Sequence, residues 1–226
     1  MTIEIIPAII PFDASETAEQ LATVRSFTRA AQLDIDDGEF TPRTSLQSSD
    51  IPKILLSGLE YEVHLMVKTP EKYVEEWMQR SPKRIIVHAE SKPSALLLQE
   101  ISHEGIEPVI ALTAHTDLDA LEPYLHLVRT VLFLCIDPPG DQGRKLLPFV
   151  LERVAVFHQK YPSYTIEVDG GINEETMKKV IASGATRLVV GSAIFSGEKP
   201  PAEQYLYVQQ LAEQCVQNGN IQTTRK

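Results

Sequence analysis

The chain has 226 residues, a hydrophobic content ordinary for a globular protein, and a formal net charge of −10 at pH 7. That charge argues against general binding to nucleic acid or to an anionic membrane surface, while leaving room for a local site that takes an anionic substrate. No apolar run is long enough to span a membrane and no signal peptide follows Met1, so we expect a cytoplasmic protein.

The chain alternates between strand-like and helix-like segments along its whole length. Most of the strand-like segments are near-continuous apolar runs, which is typical of parallel strands covered by helices on both faces. The predicted strands are 2–10, 32–36, 61–67, 83–89, 108–113, 131–136, 165–169 and 187–190. Apolar periodicity and capping residues predict the helices between them. These are 15–30, 70–80, 93–103, 116–127, 146–161, 174–183 and 201–217, with a short helix near 51–56.

Eight strand–helix units follow one another without a linker or a shift in composition. This count predicts an α/β fold, a single (β/α)8 TIM barrel over residues 1–217, followed by a polar C-terminal tail at 218–226. A doubly wound open sheet is the alternative, although it would not require eight units of such even spacing. In a barrel, the active site is expected at the carboxyl ends of the strands.

Polar side chains stand at the carboxyl ends of several predicted strands. Because side chains alternate along a strand, Gln32, Asp34 and Asp36 share one face, and so do His64 and Met66. Further polar residues at this end are His88, Asp137 and Asp169. An active site containing carboxylates and imidazoles is therefore expected there.

Glycines follow the last two predicted strands. Gly170 and Gly171 lie between Asp169 and a helix that begins after Asn173, and Gly191 and Ser192 follow the eighth strand. Glycines at a strand-to-helix turn let backbone N–H groups approach an anion, and barrels often bind phosphate in these two loops. For the first loop alone, a tight turn capped by the aspartate is the alternative. Glycines in both loops favour a phosphate site.

The order and spacing of these segments resemble the ribulose-phosphate 3-epimerase family over nearly the whole chain. The matching segments are 7–10, 33–38 with Phe40 and Pro42, 63–67, 87–90, 111–112, 166–173 and 190–195. The resemblance implies a barrel of the ribulose-phosphate-binding type. It also implies interconversion of D-ribulose 5-phosphate and D-xylulose 5-phosphate, a phosphorylated ketose being the substrate.

By this resemblance Asp34 and Asp169 are the catalytic pair. One carboxylate removes the proton at C3 to give an enediolate, and the other returns a proton on the opposite face. Strands two and seven lie apart around a barrel, which lets the two carboxylates face each other across a small substrate. The family's divalent metal, Zn, Fe or Mn, would be held by Gln32, Asp34, His64 and Asp169 and would stabilise the enediolate oxygens.

The resemblance also implies a set of substrate-binding residues around the sugar phosphate. They are His64, Met66, Gly140, Gly143, Gly170, Gly171, Gly191 and Ser192. Family members commonly assemble as dimers or hexamers, so a homo-oligomer is expected.

Four departures from the family pattern leave parts of this expectation open. Gln32 stands where the family has a metal-binding His, and an amide oxygen is a weaker donor than imidazole for zinc or iron, so retention of the metal is open. Asp36 replaces a Met and Ala8 replaces a substrate-contacting Ser. The loop 138–143 is longer than the family's glycine-rich loop. The alternatives are a non-catalytic family member that binds a phosphorylated sugar, and an epimerase for another substrate such as a hexulose phosphate.

Overall fold

Eight parallel strands close into a barrel in the computed structural model, which describes residues 2–223. Each strand pairs with the next along the chain, and the eighth pairs with the first. The strands are β1 (Glu4–Ile9), β2 (Ala30–Asp36), β3 (Glu60–Met66), β4 (Arg84–His88), β5 (Glu107–Leu112), β6 (Thr130–Leu134), β7 (Thr165–Asp169) and β8 (Arg187–Val190). The predicted TIM barrel is confirmed, and the open sheet is excluded.

Helices follow most of the strands and cover the outside of the barrel. They are α1 (Ala14–Arg25), α2 (Glu71–Met78), α3 (Ala95–His103), α4 (Pro148–Lys160), α5 (Glu174–Ala182), α6 (Ser192–Phe195) and α7 (Pro201–Thr223). Side chains of Asp13, Ser94 and Asn173 accept hydrogen bonds from first-turn N–H groups of α1, α3 and α5, which fixes where these helices begin.

Four of the predicted helices are wrong in extent or type, and in place of the short helix near 51–56 the structure has two 3₁₀ helices, Ser48–Asp50 and Lys53–Leu56. Residues 116–127 form turns and one 3₁₀ helix, Leu118–Leu121, because Pro123 cannot donate a backbone hydrogen bond inside a helix. Helix α1 ends at Arg25 rather than at residue 30, since Ala30 already pairs with Glu60 in the sheet. Helix α7 continues to Thr223, past Gln217 where its end was predicted, and residues 224–226 of the predicted tail lie outside the described residues.

The period-two alternation of the strands separates two buried layers. Leu33, Ile35 and Val63 belong to the large cluster that packs between the barrel wall and the helices. Side chains of the other parity, such as Ile86 and Leu132, form smaller clusters inside the barrel. Gln32, Asp34 and Asp36 have this second parity, so they enter the barrel interior rather than the helix layer.

Charged side chains fill the amino-terminal end of the barrel interior. The Arg84 guanidinium is buried, with Nη1 donating to Glu62 Oε2 at 2.6 Å and Nη2 donating to both Glu4 oxygens at 2.9 Å. Arg187 joins the cluster through Glu107 at 3.0 Å. These charges are paired with one another at the end opposite the expected active site, so they are structural.

Among residues 2–223, no helix combines the length and the apolar character needed to cross a bilayer.

Candidate active site

The carboxyl ends of β2, β3 and β7 bring Asp34, His64 and Asp169 together. His64 Nδ1 lies 3.0 Å from Asp34 Oδ1 and 3.3 Å from Asp169 Oδ2. All three side chains are buried, and strand register explains the first pair, because Asp34 lies directly beside His64 across the β2–β3 ladder. Residues far apart in the chain thus form one compact, acidic cluster.

The Gln32 side chain occupies the centre of this cluster. Its Nε2 donates to Asp34 Oδ1 at 2.7 Å and to Asp169 Oδ2 at 2.9 Å, and it lies 3.4 Å from His64 Nδ1. Its Oε1 is buried and has no hydrogen-bond partner among the described residues. One amide nitrogen therefore bridges the two carboxylates, while the amide oxygen is left unsatisfied.

A chain of hydrogen bonds holds His64 from behind. His64 Nε2 lies 2.8 Å from His88 Nε2, and His88 Nδ1 lies 3.2 Å from Glu90 Oε2. Glu90 is itself fixed by the backbone N–H of Thr113 at 2.8 Å. With Glu90 accepting from His88 Nδ1, His88 Nε2 accepts from His64 Nε2, which turns His64 Nδ1 toward the two aspartates.

The electrostatics of the cluster favour a positive charge between the aspartates. Burial lowers the pKa of His64, but hydrogen bonds with Asp169 and Asp34 outweigh it and raise that pKa to about 10. Burial, reinforced by the charge of Asp169, raises the pKa of Asp34. Burial lowers the pKa of His88. Burial also acts to raise the pKa of Glu90, but the hydrogen bond from His88 outweighs it and lowers that pKa to about 2.

The arrangement of Asp34, His64 and Asp169 fits a divalent cation. Their ligand atoms all lie within 4.8 Å of one another. A metal with ligand bonds near 2.1 Å has adjacent ligand atoms about 3.0 to 3.4 Å apart, and the separations of 3.0 and 3.3 Å from His64 Nδ1 fall in that range. Gln32 fits only if its amide turns, because the Nε2 that faces the carboxylates cannot ligate a metal.

Asp36 is buried just above Asp34. Neither of its carboxylate oxygens has a hydrogen-bond donor among residues 2–223, and a Cβ added at Gly140 would lie 3.0 Å from Asp36 Oδ1. Burial first, and the Asp34 charge second, raise its pKa to about 7. Asp36 therefore enters the interior and does not turn out into solvent.

A cavity opens above the carboxylates and extends to the glycine loops. Asp34, Asp169 and Met66 line it with Gly140, Gly143, Gly170, Gly171, Gly191 and Ser192. Gly171 has a φ of +69°, and a Cβ there would lie 2.3 Å from the Leu146 backbone nitrogen. The loop after β7 therefore requires glycine for its close approach to the loop after β6.

The loop between β6 and α4 forms one wall of the cavity. Gln142 Nε2 donates to the Ala8 backbone oxygen at 3.1 Å and packs against Gly191. Arg144 donates to Asp141 Oδ2 from Nε at 3.0 Å and from Nη2 at 2.5 Å, and Arg43 reaches Asp141 Oδ1 at 3.2 Å. This longer loop is thus held by side-chain contacts to strand β1 and to the loops after β2 and β8.

Most of the residues singled out in the sequence lie together around this cavity. Gln32 and His64 do not line the cavity, because both are buried and contact the aspartates from within the barrel, and the exposed Asp137 also lies outside its lining. Glu90 and Arg144 were not predicted as site residues. Glu90 does lie two residues after His88, which is a local signal for a carboxylate that orients an imidazole.

Comparisons with known proteins agree with this architecture. The 3-hexulose-6-phosphate synthase of Salmonella typhimurium has a TM-score of 0.67 at 16% identity, covering 95% of this chain and 100% of that one. The 3-keto-L-gulonate-6-phosphate decarboxylase of Vibrio cholerae has a TM-score of 0.68 at 9% identity, covering 95% of this chain and 99% of that one. At these identities the likeness shows the fold alone.

The fold and the site together define a barrel protein with a buried pair of carboxylates at the carboxyl ends of its strands. The ribulose-phosphate 3 epimerase family model matches residues 4–195. The cytoplasmic isoform of ribulose-phosphate 3-epimerase from Oryza sativa is 31% identical, covering 87% of this chain and 89% of its own length. The ribulose-phosphate 3-epimerase of Aquifex aeolicus is 30% identical, covering 87% and 91%. The chain belongs to the ribulose-phosphate 3-epimerase family, whose named members are isomerases.

The burial of Asp36 predicts a pH-dependent effect of the substitution Asp36→Asn. Because the folded-state pKa of about 7 exceeds the usual value of 3.8, the folded state binds more protons between these pH values, and stability falls as pH rises through this window. Asn cannot ionise, so the variant avoids this loss. The free energy of unfolding of Asp36→Asn minus that of the wild type should therefore increase from pH 4 to pH 8. Urea unfolding in the presence of a chelator measures this.

The control is Asp119→Asn, which changes an exposed carboxylate in the turn Leu118–Leu121. Because this side chain is exposed, Asp119→Asn should not reproduce the pH-dependent gain in stability that is expected of Asp36→Asn. A pH-independent difference for Asp36→Asn would contradict the burial of an ionisable Asp36.

Proposed function

We propose that the protein is a ribulose-phosphate 3-epimerase that interconverts D-ribulose 5-phosphate and D-xylulose 5-phosphate. The observation that carries the proposal is the convergence of Asp34 and Asp169 beside a cavity that ends in two glycine loops. The names of the rice and Aquifex relatives support the same reaction. The cavity offers an acid–base pair at one end and backbone donors at the other, which matches a short sugar phosphate.

Epimerisation needs two proton carriers. One carboxylate takes the proton from C3, and the electron pair left behind forms the enediolate with the C2 carbonyl. The other carboxylate then gives a proton to C3 on the opposite face. Asp34 and Asp169 fill these roles, and burial raises the pKa of Asp34 toward the range where a carboxyl group both accepts and returns a proton efficiently.

His64 holds the two carboxylates in place. Its Nδ1 contacts both aspartates, and the His88–Glu90 chain keeps its ring in that orientation. In the proposed reaction His64 is therefore a positioning residue. Met66 gives the sugar an apolar wall at the β3 side of the cavity.

The glycine loops are proposed to bind the phosphate. Gly170 and Gly171 precede α5, and Gly191 precedes Ser192 at the start of α6. Backbone N–H groups at such positions are donors for phosphate oxygens. Gly140 and Gly143 line the same cavity from the loop after β6 and complete its wall.

A divalent metal would be held by Asp34, His64, Asp169 and Gln32. For this the Gln32 amide would turn so that Oε1, in place of Nε2, faces the metal. When bound there, the metal supplies Lewis-acid stabilisation of the enediolate oxygens. With Gln32 the site has two carboxylates, one imidazole and an amide oxygen. With a histidine at position 32 it would have a second imidazole in place of the amide oxygen. The amide oxygen is the harder donor, so the Gln32 site should prefer Mn²⁺ over Zn²⁺ more than the histidine site would. The unsatisfied buried Oε1 of Gln32 supports such a turn.

We also propose a cytoplasmic location, from the name of the rice isoform, and a homo-oligomeric assembly, from the family resemblance.

Asp34→Asn and Asp169→Asn test the proposed reaction. Each removes one proton carrier, so kcat for D-ribulose 5-phosphate should fall by about 10²- to 10⁴-fold, with a much smaller change in KM. Formation of D-xylulose 5-phosphate, followed by NMR, measures the rate. The matched control is Asp137→Asn, an exposed carboxylate after β6 at the same end of the barrel, which should keep wild-type kinetics. Near wild-type kcat in either Asp34→Asn or Asp169→Asn would contradict the two-carboxylate mechanism.

Gln32→His tests the metal site. An added imidazole should raise the ratio of Zn²⁺ to Mn²⁺ affinity by about tenfold or more, since imidazole suits zinc better than an amide oxygen does. Calorimetric titration of chelator-treated protein with each ion measures both affinities without an activity assay.

The control for this titration is Gln142→His, which adds a histidine to the cavity wall outside the carboxylate cluster. Its affinity ratio should match that of the wild type. An unchanged ratio in Gln32→His would show that residue 32 is not a metal ligand.

A further inference from the structure

The charge on the cavity wall is unfavourable for a phosphorylated substrate. Three carboxylates line the cavity, those of Asp34, Asp141 and Asp169. Among the described residues that line it, Arg144 is the one lysine or arginine. Backbone N–H groups donate hydrogen bonds but carry no net charge, so a cationic side chain beside them adds Coulomb attraction for a phosphate dianion in this acidic chain.

The contacts of Arg144 leave part of its guanidinium available. Nε and Nη2 both donate to Asp141 Oδ2, at 3.0 Å and 2.5 Å. Nη1 has no acceptor within the described part of the chain, and the side chain is 48% exposed. A guanidinium carries five N–H donors in a rigid fork, so Arg144 can keep Asp141 and still donate to a phosphate oxygen.

Asp141 orients this arginine without adding a free negative charge to the wall. Its Oδ1 pairs with Arg43 at 3.2 Å while Oδ2 takes both donors of Arg144. Its side chain is 15% exposed, and two arginines share its single charge. The trio Arg43, Asp141 and Arg144 therefore has one net positive charge.

The position of Arg144 places that charge beside the glycine loops. It follows Gly143 and precedes α4 by a few residues, in the loop whose Gln142 packs on Gly191. Leu146 in the same segment packs against Gly171. The loop that carries Arg144 is thus in contact with both loops proposed to bind the phosphate.

We propose that Arg144, oriented by Asp141, binds the phosphate group of the substrate and makes the enzyme selective for phosphorylated over unphosphorylated ketoses. This inference rests on the proposed function, since it assigns a charged donor to the same cavity. In this proposed role Arg144 is a binding residue, and Asp141 is a positioning residue.

Arg144→Gln and Arg43→Gln form a matched pair for the test. Both remove one arginine from Asp141, but only Arg144 lines the cavity. The KM for D-ribulose 5-phosphate should rise about tenfold to a hundredfold in Arg144→Gln, with little change in kcat. The KM of Arg43→Gln should stay within about twofold of the wild-type value. The ratio of kcat/KM for D-ribulose 5-phosphate to kcat/KM for unphosphorylated D-ribulose should fall in Arg144→Gln and stay within about twofold of the wild-type ratio in Arg43→Gln.

Two further variants separate a phosphate contact from a structural role of the loop. Arg144→Lys keeps the positive charge but lacks the forked guanidinium, so its KM should lie between those of the wild type and Arg144→Gln. Asp141→Asn loosens the orientation of Arg144 and should raise KM less than Arg144→Gln does. Equal KM values in Arg144→Gln and Arg43→Gln would overturn the proposal.

Calorimetric titration with inorganic phosphate makes this test independent of turnover. We expect Arg144→Gln to weaken the binding of inorganic phosphate about tenfold, whereas Arg43→Gln should leave it unchanged. If the wild type shows no epimerisation but phosphate binding is weakened in Arg144→Gln alone, the proposed reaction fails and the role of Arg144 stands. Phosphate affinity in Arg144→Gln equal to that of the wild type would overturn the role of Arg144.

Discussion

Two buried carboxylates held close to one another are the constraint on which the rest of the site depends. Asp34 and Asp169 both contact the Gln32 amide nitrogen and His64 Nδ1 within 3.3 Å. Two like charges at this separation are stable only with positive charge or hydrogen-bond donors between them. The raised pKa of His64, the bridging amide and the fit to a divalent cation are three expressions of this one requirement.

The barrel supplies the rigidity that such a cluster needs. The β2–β3 register places Asp34 beside His64, and the hydrogen-bonded chain through His88 to Glu90 spans β4 and its following turn. At the opposite end of the interior, Arg84 and its glutamates form a separate charge cluster. On β4 and β6 apolar side chains such as Ile86 and Leu132 lie between the two clusters, whereas on β3 the buried Glu62 lies two residues before His64 on the same face.

Much of this architecture could be predicted from the sequence, because strand and helix periods are local properties. The predicted strands 165–169 and 187–190 coincide with β7 and β8. The helix predicted over 116–127 was wrong because the apolar spacing indicated a helix that Pro123 interrupts. The predicted end of α1 was wrong because the pairing of Ala30 with Glu60 is a tertiary contact that no local pattern indicates.

In the site, too, some features could be predicted from the sequence and others depend on tertiary contacts. Asp34, His64 and Asp169 were predicted from their places at strand ends, and the structure brings them together. The bridging orientation of the Gln32 amide and the pairing of Arg144 with Asp141 and Arg43 depend on side-chain geometry between distant loops, so sequence spacing could not show them. Fold and candidate site thus follow from pattern and family resemblance, whereas the electrostatic details require coordinates.

Solvent-deuterium exchange at C3 of D-ribulose 5-phosphate, followed by NMR in D₂O with and without added divalent metal, measures enolisation by the two carboxylates itself. If the Asp34 and Asp169 carboxylates abstract and return the C3 proton, the wild type will incorporate deuterium at C3, and also into the D-xylulose 5-phosphate that forms. No exchange under any metal condition, in a protein shown to be folded, would contradict the assignment of these carboxylates to C3 enolisation.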